Sequence, residues 1–357
     1  MYGYSGDDVA HLVWWWHRAL GFASSHTLDH FVGYRGFELT STAIQKWAMG
    51  QDPARLGATL RRRPVDKGRH VGGKDGGPRP RQPEAEYRWS KTIGVEVHMD
   101  TVGGFSPAAY GNVSTAVVVV DTGHYPPFGM IVPGQPGPSR KKLDTSSVPN
   151  AIKKVVRDYE LHGHHSSEWG QNVQQIRADM GSGFTSRETE ELCIQLGIKQ
   201  VWSTPNCHEQ NGAAEAYIKD LFTLVSAFYA AARWVPRFLW MYCIIYAAHC
   251  KNLHVAKGFS TCAWETFYLR KYNFRSRPLM PWGCVLLVFV PKHLRSWKFG
   301  DRGIPAMYIG TPEGVKEGVY VYVPLTKRVR IVREYAILET APKEWPSYNG
   351  QLWPTAE

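Results

Sequence analysis

Several features that define other protein classes are scarce in this sequence. Its six cysteines form no C-x-x-C pair and are absent from the first 192 residues, which argues against a disulfide scaffold and against a cysteine-rich zinc module. No apolar run reaches the roughly 20 residues that span a bilayer. The most apolar region is divided by Arg233, Pro236 and Arg237. We therefore expect buried free thiols and no membrane partner.

Acidic residues are outnumbered by basic ones. The chain has 31 Asp and Glu against 42 Lys and Arg, a formal net charge of +11 at pH 7. This excess favours a polyanionic partner, and nucleic acid before a membrane surface. Hydrophobic residues make up 43% of the chain, which is too many for a disordered protein. Since one domain typically takes about 150 residues, the length of 357 residues suggests two or three domains.

Changes in composition divide the chain into six segments. They are a helical segment, a basic linker, an α/β core, a connector, a region of short β-strands and a tail, which cover residues 1–50, 51–90, 91–255, 256–281, 282–340 and 341–357. The linker is rich in Gly, Pro, Lys and Arg, and it is either a solvated tether or an arm that contacts phosphates. The short strands, separated by Gly, Pro and charged turns, predict a small β-barrel.

Strand and helix patterns follow one another in the core. Three strand patterns in succession, then alternating helices and strands, predict an α/β fold with a mixed five-stranded sheet flanked by helices. The predicted strands cover residues 93–100, 113–121, 128–132, 173–179 and 199–203, and the predicted helices cover residues 150–162, 186–196 and 213–234. Ser186 is expected to cap the second of these helices, because its hydroxyl can accept from a free backbone N–H of the first turn.

Three carboxylates take positions at which a sheet can bring side chains together. Asp100 ends the predicted first strand, Asp179 ends the fourth, and Glu215 opens the long helix, with 35 residues between the last two. Clustered carboxylates repel one another unless cations neutralise them, and oxygen ligands suit Mg²⁺. Two such ions about 4 Å apart can stabilise both oxygens of an in-line phosphoryl displacement. The alternative is that the two aspartates are ordinary turn residues.

The sequence around these carboxylates resembles the integrase of copia-type LTR retrotransposons. That family has R-x-D-N-G-x-E-F at its second Asp and Q-N-G-x-A-E-R at its Glu, and this chain has RADMGSGF at 177–184 and QNGAAEA at 210–216. Within residues 282–340, the stretches WGC, RG before AMYIG, GVYVYVP and VRIVREYAIL are similar to the small barrel that follows the family's core. The resemblance covers roughly residues 90–340.

The resemblance implies an RNase H-like polynucleotidyl transferase. Asp100, Asp179 and Glu215 would be its catalytic residues and would hold two Mg²⁺ or Mn²⁺ ions. The reaction would join the 3′ ends of element DNA to target DNA, so the partners would be double-stranded DNA and further copies of the chain. The location would be the nucleus, reached by way of cytoplasmic virus-like particles. The residues expected to contact DNA are Lys219, Gln210, Asn211, Arg61, Arg62, Arg63, Lys292, Arg295, Lys298, Lys327, Arg328 and Arg330.

Three positions depart from the family pattern. Met180 replaces the usual Asn after the second Asp, Gly183 replaces the usual Glu before Phe184, and Ala216 replaces the usual Arg after the Glu. Met180 cannot form the hydrogen bonds of an amide. The three predicted metal ligands are all present, so the chemistry is possible. The alternative is a catalytically inactive, DNA-binding relic of such an integrase.

The amino-terminal segment resembles the family's zinc-binding module but lacks most of its ligands. WHRALG at 16–21 is similar to W-H-R-R-L-G-H, so His17 fits the first ligand. The other three ligand positions fall on Phe22, Ile44 and Trp47. Because tetrahedral structural zinc needs four His or Cys ligands, we expect a degenerate helical module without zinc.

Three further motifs allow other interpretations. DTG at 121–123 follows an apolar strand as in an aspartic protease, but that enzyme needs a second such loop or a dimer to pair two carboxylates. HGHH at 162–165 suggests a metal cluster, although its polar surroundings favour a solvated turn. His26 and His30 are one helical turn apart, and without further ligands we expect a solvated pair.

Overall fold

The computed structural model describes ten stretches of the chain. They are residues 15–23, 25–32, 92–123, 126–134, 147–162, 173–203, 212–256, 259–290, 292–294 and 302–338. The basic linker with Arg61, Arg62 and Arg63 lies outside the described residues, and so does the tail. The predicted division into six segments therefore stays a prediction.

A mixed five-stranded sheet occupies the middle of the chain, in the order β3-β2-β1-β4-β5. Its strands are β1 (Glu96–Gly103), β2 (Thr115–Asp121), β3 (Phe128–Pro133), β4 (Gln175–Ala178) and β5 (Lys199–Trp202). β1, β2 and β3 pair in antiparallel fashion, whereas β4 runs parallel to both β1 and β5. The prediction of an α/β fold with this mixed sheet is confirmed.

Helices cover both faces of the sheet. Their bounds are α1 (Ser25–Val32), α2 (Ser147–Leu161), α3 (Arg187–Leu196), α4 (Gly212–Ala231), α5 (Trp240–Leu253) and α6 (Ala263–Tyr268). All seven residues of β2 are buried. Val118 and Val120 pack in a core with α4 and α5, whereas Val117 and Val119 pack in a core with α2, α3 and α6. Alternate strand residues point to opposite sides, and we call these sides the α4 face and the α2 face.

The first strand differs from its predicted bounds. Residues 93–95 form a turn, in which Val95 N donates to Thr92 O at 3.3 Å, and β1 then continues to Gly103. The alternating pattern predicted that Asp100 ends the strand. Asp100 instead lies within it. The polar residues Glu96 and His98 of this pattern are buried, because helices pack on both faces.

The predicted cap of α3 is confirmed. Ser186 has extended backbone angles, and its hydroxyl accepts from Thr189 N at 3.3 Å. The helix ends at Gly197, whose φ of 64° lies in the left-handed region that favours glycine. Local chemistry alone thus sets both ends of this helix.

A second sheet contains five antiparallel strands in the order β10-β6-β7-β8-β9. Its strands are β6 (Val285–Phe289), β7 (Gly303–Gly310), β8 (Val319–Val323), β9 (Arg328–Val332) and β10 (Tyr335–Ile337). The two outer strands, β9 and β10, are joined by only two residues, 333 and 334, so the two edges of the sheet come together and the sheet curls in the way that the predicted small barrel requires. It packs on α5 through tyrosine rings, such as Tyr242 and Tyr320 at 5.4 Å.

The described amino-terminal residues pack on α5. Residues 15–19 are helical, and Leu20 and Leu28 are buried in the core on the α4 face. Tyr246 Oη donates to Ala19 O at 2.8 Å. The ring of Phe22, at a position where the related module has a zinc ligand, lies 5.5 Å from the ring of Phe228.

One of the histidines expected to be solvated, His30, is not, and a second, His162, is half-buried. His30 Nε2 lies 3.0 Å from Glu265 Oε2, and the His30 side chain is only 12% exposed. His162 lies with its ring 4.5 Å from that of Tyr268. The expectation was wrong for His30, because long-range packing brings a partner that local spacing does not reveal, whereas the solvated turn at 162–165 stays a prediction. The side chain of His26 and residues 163–165 lie outside the described residues.

Two further observations concern burial. Among the described helices, none is long and apolar enough to cross a membrane. Cys193, Cys243, Cys250 and Cys262 are free and buried, and Cys284 is free and partly buried.

Candidate active site

Asp100 lies in the central strand of the mixed sheet. β1 has β2 on one side and β4 on the other, and Asp100 stands directly opposite Val118. Directly opposed residues point to the same side, so Asp100 lies on the α4 face. Its side chain is partly buried, and Asp100 Oδ1 accepts a hydrogen bond of 2.7 Å from Thr101 N.

Asp179 directly follows β4, the strand that runs parallel to β1. His98 stands in register with Arg177, so Asp100 and Asp179 each come two residues later in the same direction. The exposed side chain of Asp179 accepts a hydrogen bond of 3.2 Å from Gly181 N. A Cβ on residue 181 would lie only 3.1 Å from the accepting oxygen, so glycine leaves room for this turn.

Glu215 is exposed in the first turn of α4, the helix that packs across β1 and β2. The neighbouring residues Ala214 and Tyr217 are buried, so the helix presents Glu215 away from its packed side. Lys219 lies one turn further along α4 and is exposed. Residues i and i+4 share a helix face, and Lys219 therefore lies on the same face as Glu215.

A clamp of three residues sets the position of α4. The ring of Tyr217 lies so close to Gly129 of β3 that a Cβ there would be 2.2 Å from a ring atom. Asn252 of α5 accepts from Gly129 N at 2.9 Å and donates to Gly129 O at 2.7 Å. The helix that carries Glu215 is thus held against the sheet edge by a contact that only glycine permits.

The charges of the two other predicted carboxylates act on Asp100. The pKa of Asp100 is raised from 3.8 to about 6, chiefly by burial. The hydrogen bond from Thr101 N opposes this shift, and the negative charges of Asp179 and Glu215 add to it. Electrostatic coupling weakens steeply with distance in a protein. The fold therefore places Asp179 and Glu215, which are far from Asp100 in the sequence, near enough for their charges to act on it.

The chemistry of this donor set suits a divalent cation. Three carboxylates supply hard oxygen ligands and a negative charge that their own repulsion makes costly. A bound cation would remove that cost. As the side chains stand, the described residues contain no set of three His, Cys, Asp or Glu side chains in metal-ligating arrangement. The exposed side chains of Asp179 and Glu215 can change rotamer to reach a shared ion.

Sequence patterns did not predict a polar cluster beneath the carboxylates. Glu96 and His98 precede Asp100 by four and two residues, so all three share the α4 face. Arg177 Nε donates to Glu96 Oε1 at 2.5 Å, and His98 Nε2 lies 3.6 Å from the same oxygen. The ion pair joins β1 to β4 two residues before Asp179. The match of Arg177 to the integrase motif was the only signal for it.

Comparisons with known proteins show that the chain is similar to a retroelement polyprotein. No protein-family model matches it. It is 28% identical, over 182 residues, to the retrovirus-related Pol polyprotein from transposon TNT 1-94 of Nicotiana tabacum. The match covers 51% of this chain and 13% of that polyprotein, so the chain spans a small part of its relative's length. The protein is integrase-like.

Solved structures similar to this integrase-like chain include a viral intasome and two integrase catalytic core domains. The intasome of simian T-cell lymphotropic virus in complex with PP2A regulatory subunit B56 gamma is 14% identical with a TM-score of 0.38, and covers 69% of this chain and 78% of that one. The catalytic core domain of BIV integrase is 17% identical with a TM-score of 0.33, and the match covers 49% of this chain and 93% of that one. The HTLV-2 integrase catalytic core domain in complex with magnesium is 18% identical with a TM-score of 0.35, and the match covers 49% of this chain and 96% of that one.

The three departures from the integrase pattern fall at sites that the fold tolerates. Met180 is 57% exposed beside Asp179, and Ala216 is exposed beside Glu215. Gly183 O accepts from Thr189 Oγ1 at 2.8 Å, so this backbone supports the start of α3. The chain therefore lacks, at these three positions, the side chains that the integrase resemblance implies.

The predicted DNA contacts fall into described and undescribed groups. Lys219, Lys292, Lys327, Arg328 and Arg330 are exposed, and the last two lie on β9, an outer strand of the second sheet. Nothing in the structure tests their role, which stays a prediction. The remaining residues lie outside the described stretches and are Arg61, Arg62, Arg63, Gln210, Asn211, Arg295 and Lys298.

Asp121, the acidic residue of the DTG motif, points to the α2 face. It stands opposite Val97, whose side chain packs in the core on that side. Asp121 is 1% exposed and accepts from Gly94 N at 2.9 Å, from Gly123 N at 2.7 Å and from the hydroxyl of Tyr159. These bonds hold the turn after β2 and the helix α2. They give this carboxylate a structural role and no place in a protease-like pair.

Proposed function

We propose that the protein is a retrotransposon integrase that joins the 3′ ends of element DNA to target DNA. The observation that supports the proposal is the matching position of Asp100 and Asp179 along the adjacent parallel strands β1 and β4, together with the charges of Asp179 and Glu215, which raise the pKa of Asp100. The similarity to a retrotransposon Pol polyprotein supports it. Its place of action would be the nucleus, where the target DNA is found.

The three carboxylates would hold two Mg²⁺ or Mn²⁺ ions. When bound, the ions supply Lewis-acid stabilisation of the entering and leaving oxygens of an in-line phosphoryl displacement. The attacking groups are water and then the 3′-hydroxyl of the DNA, so no Ser, Tyr or Cys of the chain needs to form a covalent intermediate. The chain's own task is to orient the two DNA strands against the carboxylates.

The basic residues near the site would position the DNA. Lys219, on the same helix face as Glu215, would bind a phosphate of the element end. Gln210 and Asn211 precede the helix and would contact the DNA through their amides. We also propose that the element is of the copia type and that the chain assembles into a homo-oligomer. We propose no zinc in the amino-terminal segment, because Phe22 occupies one ligand position and packs in the core.

An inactive DNA-binding relic is the second candidate. Met180, Gly183 and Ala216 favour it, because the family has an amide, a carboxylate and a guanidinium there. The two candidates differ in catalysis and agree in DNA binding. Met180→Asn combined with Gly183→Glu and Ala216→Arg would restore the family pattern, and a gain of activity only in this variant would favour the relic.

Asp179→Asn tests the catalytic proposal, because it removes one ligand charge and keeps the side-chain shape. In Mg²⁺ or Mn²⁺ we expect the full chain to nick and join duplex DNA and the variant to do neither. The control is Asp220→Asn, since Asp220 is an exposed carboxylate on α4, the helix that carries Glu215, and it pairs with Lys251 at 2.8 Å. Activity that survives in Asp179→Asn at the level of the control would refute the metal-ligand role.

The role of β9 in DNA binding can be tested separately. Arg328→Gln with Arg330→Gln removes two exposed charges on one strand. For each phosphate that the variant no longer binds, the slope of log affinity against log salt should become shallower by roughly 0.9. An unchanged slope would show that these arginines are solvated and bind no phosphate.

A further inference from the structure

A second basic surface lies away from the three carboxylates. A groove of about 1100 Å³ runs between α2, the segment after α6 and the turn that follows β7. α2 and α6 pack on the α2 face, so the groove lies on the other side of the sheet from Asp100. Seven Lys and Arg and two Asp and Glu line it. None of these residues is among those that the integrase resemblance assigned to DNA.

The two acidic residues of the groove are already neutralised. Lys154 Nζ lies 2.6 Å from Asp158 Oδ2 and 3.1 Å from Glu313 Oε2, so a single lysine pairs with both carboxylates. Lys271, another of the seven, lies 3.4 Å from the buried carboxylate of Glu265. The remaining five basic residues have no ion-pair partner among the described residues, and they are Lys153, Arg157, Arg270, Arg277 and Lys316.

Two of these five are held in place without a carboxylate. The guanidinium carbon of Arg270 lies 5.8 Å from the ring centres of both Trp264 and Tyr268. That of Arg277 lies 5.6 Å and 5.5 Å from the same two rings. Contact with aromatic faces orients a guanidinium and leaves its N–H donors available. Two pre-oriented forks of this kind suit phosphate oxygens, which they can bind in bidentate fashion.

The other three basic residues extend the positive surface. Lys153 and Arg157 are exposed one turn apart on α2, and Lys316 is exposed in the turn between β7 and β8. Charge therefore lies on both walls of the groove and along its length. A surface of this shape and charge fits a linear polyanion better than a single anion.

We propose that this groove binds the phosphodiester backbone of duplex DNA as a second DNA site of the chain. The choice of DNA rests on the proposed function, in which the α4 face acts on DNA ends. DNA held on the α2 face would be a different stretch from the DNA end on the α4 face, or it would be DNA bound by a neighbouring copy of the chain. The contacts would be to phosphates, so the site would bind without sequence preference.

The test compares two triple variants of the full chain in EDTA, so that catalysis plays no part. The groove variant is Lys153→Gln with Arg157→Gln and Lys316→Gln. The control variant, which removes the same charge at exposed positions elsewhere, is Arg187→Gln with Lys199→Gln and Arg233→Gln. Affinity for a short duplex of arbitrary sequence is measured over a range of salt concentrations. We expect the groove variant to give a slope shallower by roughly 0.9 for each phosphate that it no longer binds, and the control to match the unmodified chain.

A further double variant tests the role of the two guanidinium groups. Arg270→Lys with Arg277→Lys keeps the charge and removes bidentate binding, so we expect weaker DNA binding. If the groove variant binds DNA with the same affinity and the same salt slope as the control variant, the second site is overturned and the proposed function still stands. Failure of the unmodified chain to bind any duplex would count against both.

Polyglutamate serves as the probe for an acidic protein segment. We expect it to compete poorly with DNA for the unmodified chain, because carboxylates lack the charge density of phosphates. Stronger binding of polyglutamate than of DNA, abolished in the groove variant alone, would overturn DNA as the occupant.

Discussion

Asp100 and Asp121 lie on neighbouring strands of one sheet and have similar pKa values but opposite surroundings. Burial raises the pKa of each to about 6. Asp121 accepts hydrogen bonds from two backbone N–H groups and from Tyr159. Asp100 receives one, from Thr101 N, in the described part of the chain, and it faces the charges of two further carboxylates.

The comparison teaches that burial of a carboxylate does not by itself mark a functional site. Donors around Asp121 stabilise a charge that folding needs in place. Around Asp100 the neighbours are like charges, which are unfavourable in the folded chain and become favourable only with a cation. The partners of the group, and not its pKa, separate the two roles.

The largest difference should appear in catalysis. Asp100→Asn removes a proposed metal ligand and should lower Mn²⁺-dependent strand transfer roughly a thousandfold, which is about 4 kcal/mol of transition-state stabilisation. Asp121→Asn should lower activity only as far as it lowers the folded fraction. Strand-transfer assays on both variants, corrected for folded protein by circular dichroism, check this. Equal losses per folded molecule would contradict the division of roles.

The next largest effect should come from the clamp on the α4 face. Gly129→Ala places a methyl group against the ring of Tyr217 and should lower the free energy of unfolding by about 3 kcal/mol. The double variant with Tyr217→Leu, in which the ring is absent, should regain part of that stability. Urea unfolding of the single and double variants measures it. If the effects of the two changes simply add, the ring is not what excludes the methyl group.

A smaller loss of stability is expected for Asp121→Asn. Asp121 Oδ2 accepts from Gly94 N and from Tyr159, and Oδ1 accepts from Gly123 N, so an amide must turn its NH₂ toward at least one donor. Loss of such a buried hydrogen bond should lower the free energy of unfolding by about 2 kcal/mol at neutral pH. Tyr159→Phe, which removes one donor only, should have a milder effect in the same urea series. A fully stable Asp121→Asn would argue against the structural role.

The smallest effect should be a gain in stability from Asp100→Asn at pH 7.5 without metal. A folded-state pKa raised from 3.8 to about 6 means that Asp100 stabilises the fold at low pH and that this contribution is lost as the pH rises through 6. Removing the charge should therefore stabilise the variant by about 1 kcal/mol, allowing for partial exposure. Thermal melts in EDTA should show the gain at pH 7.5 and none below pH 3.8. A gain of equal size at both pH values would mean that the negative charge of Asp100 is not its cause.

Short-range patterns predicted most of the elements of the core. The run of β-branched residues in β2 and the cap at Ser186 depend on neighbours within a few residues, so the sequence contains all the information needed. The bounds of β1 were wrong because the backbone turn at residues 93–95 is set by contacts outside that stretch. Gly94 N donates to Asp121, which lies 27 residues further along the chain.

Pairings over long sequence separations could not be predicted. Arg177 and Glu96 are 81 residues apart, and His30 and Glu265 are 235 residues apart. No periodicity connects residues at such distances. The solvated interpretation of His30 failed for this reason, since its partner belongs to α6.

The sequence by itself determined the chemistry of the site: three carboxylates, hard oxygen ligands, in segments that resemble an integrase. It also determined the positive charge of the chain, because side-chain identity sets both. Only the tertiary structure decided which carboxylates share a face and which, like Asp121, point to the other side. That outcome depends on strand register, and a shift of one residue sends every side chain to the opposite face. The groove on the α2 face arises in the same way, from basic residues of three separate segments that only the packing of α2, α6 and the second sheet brings together.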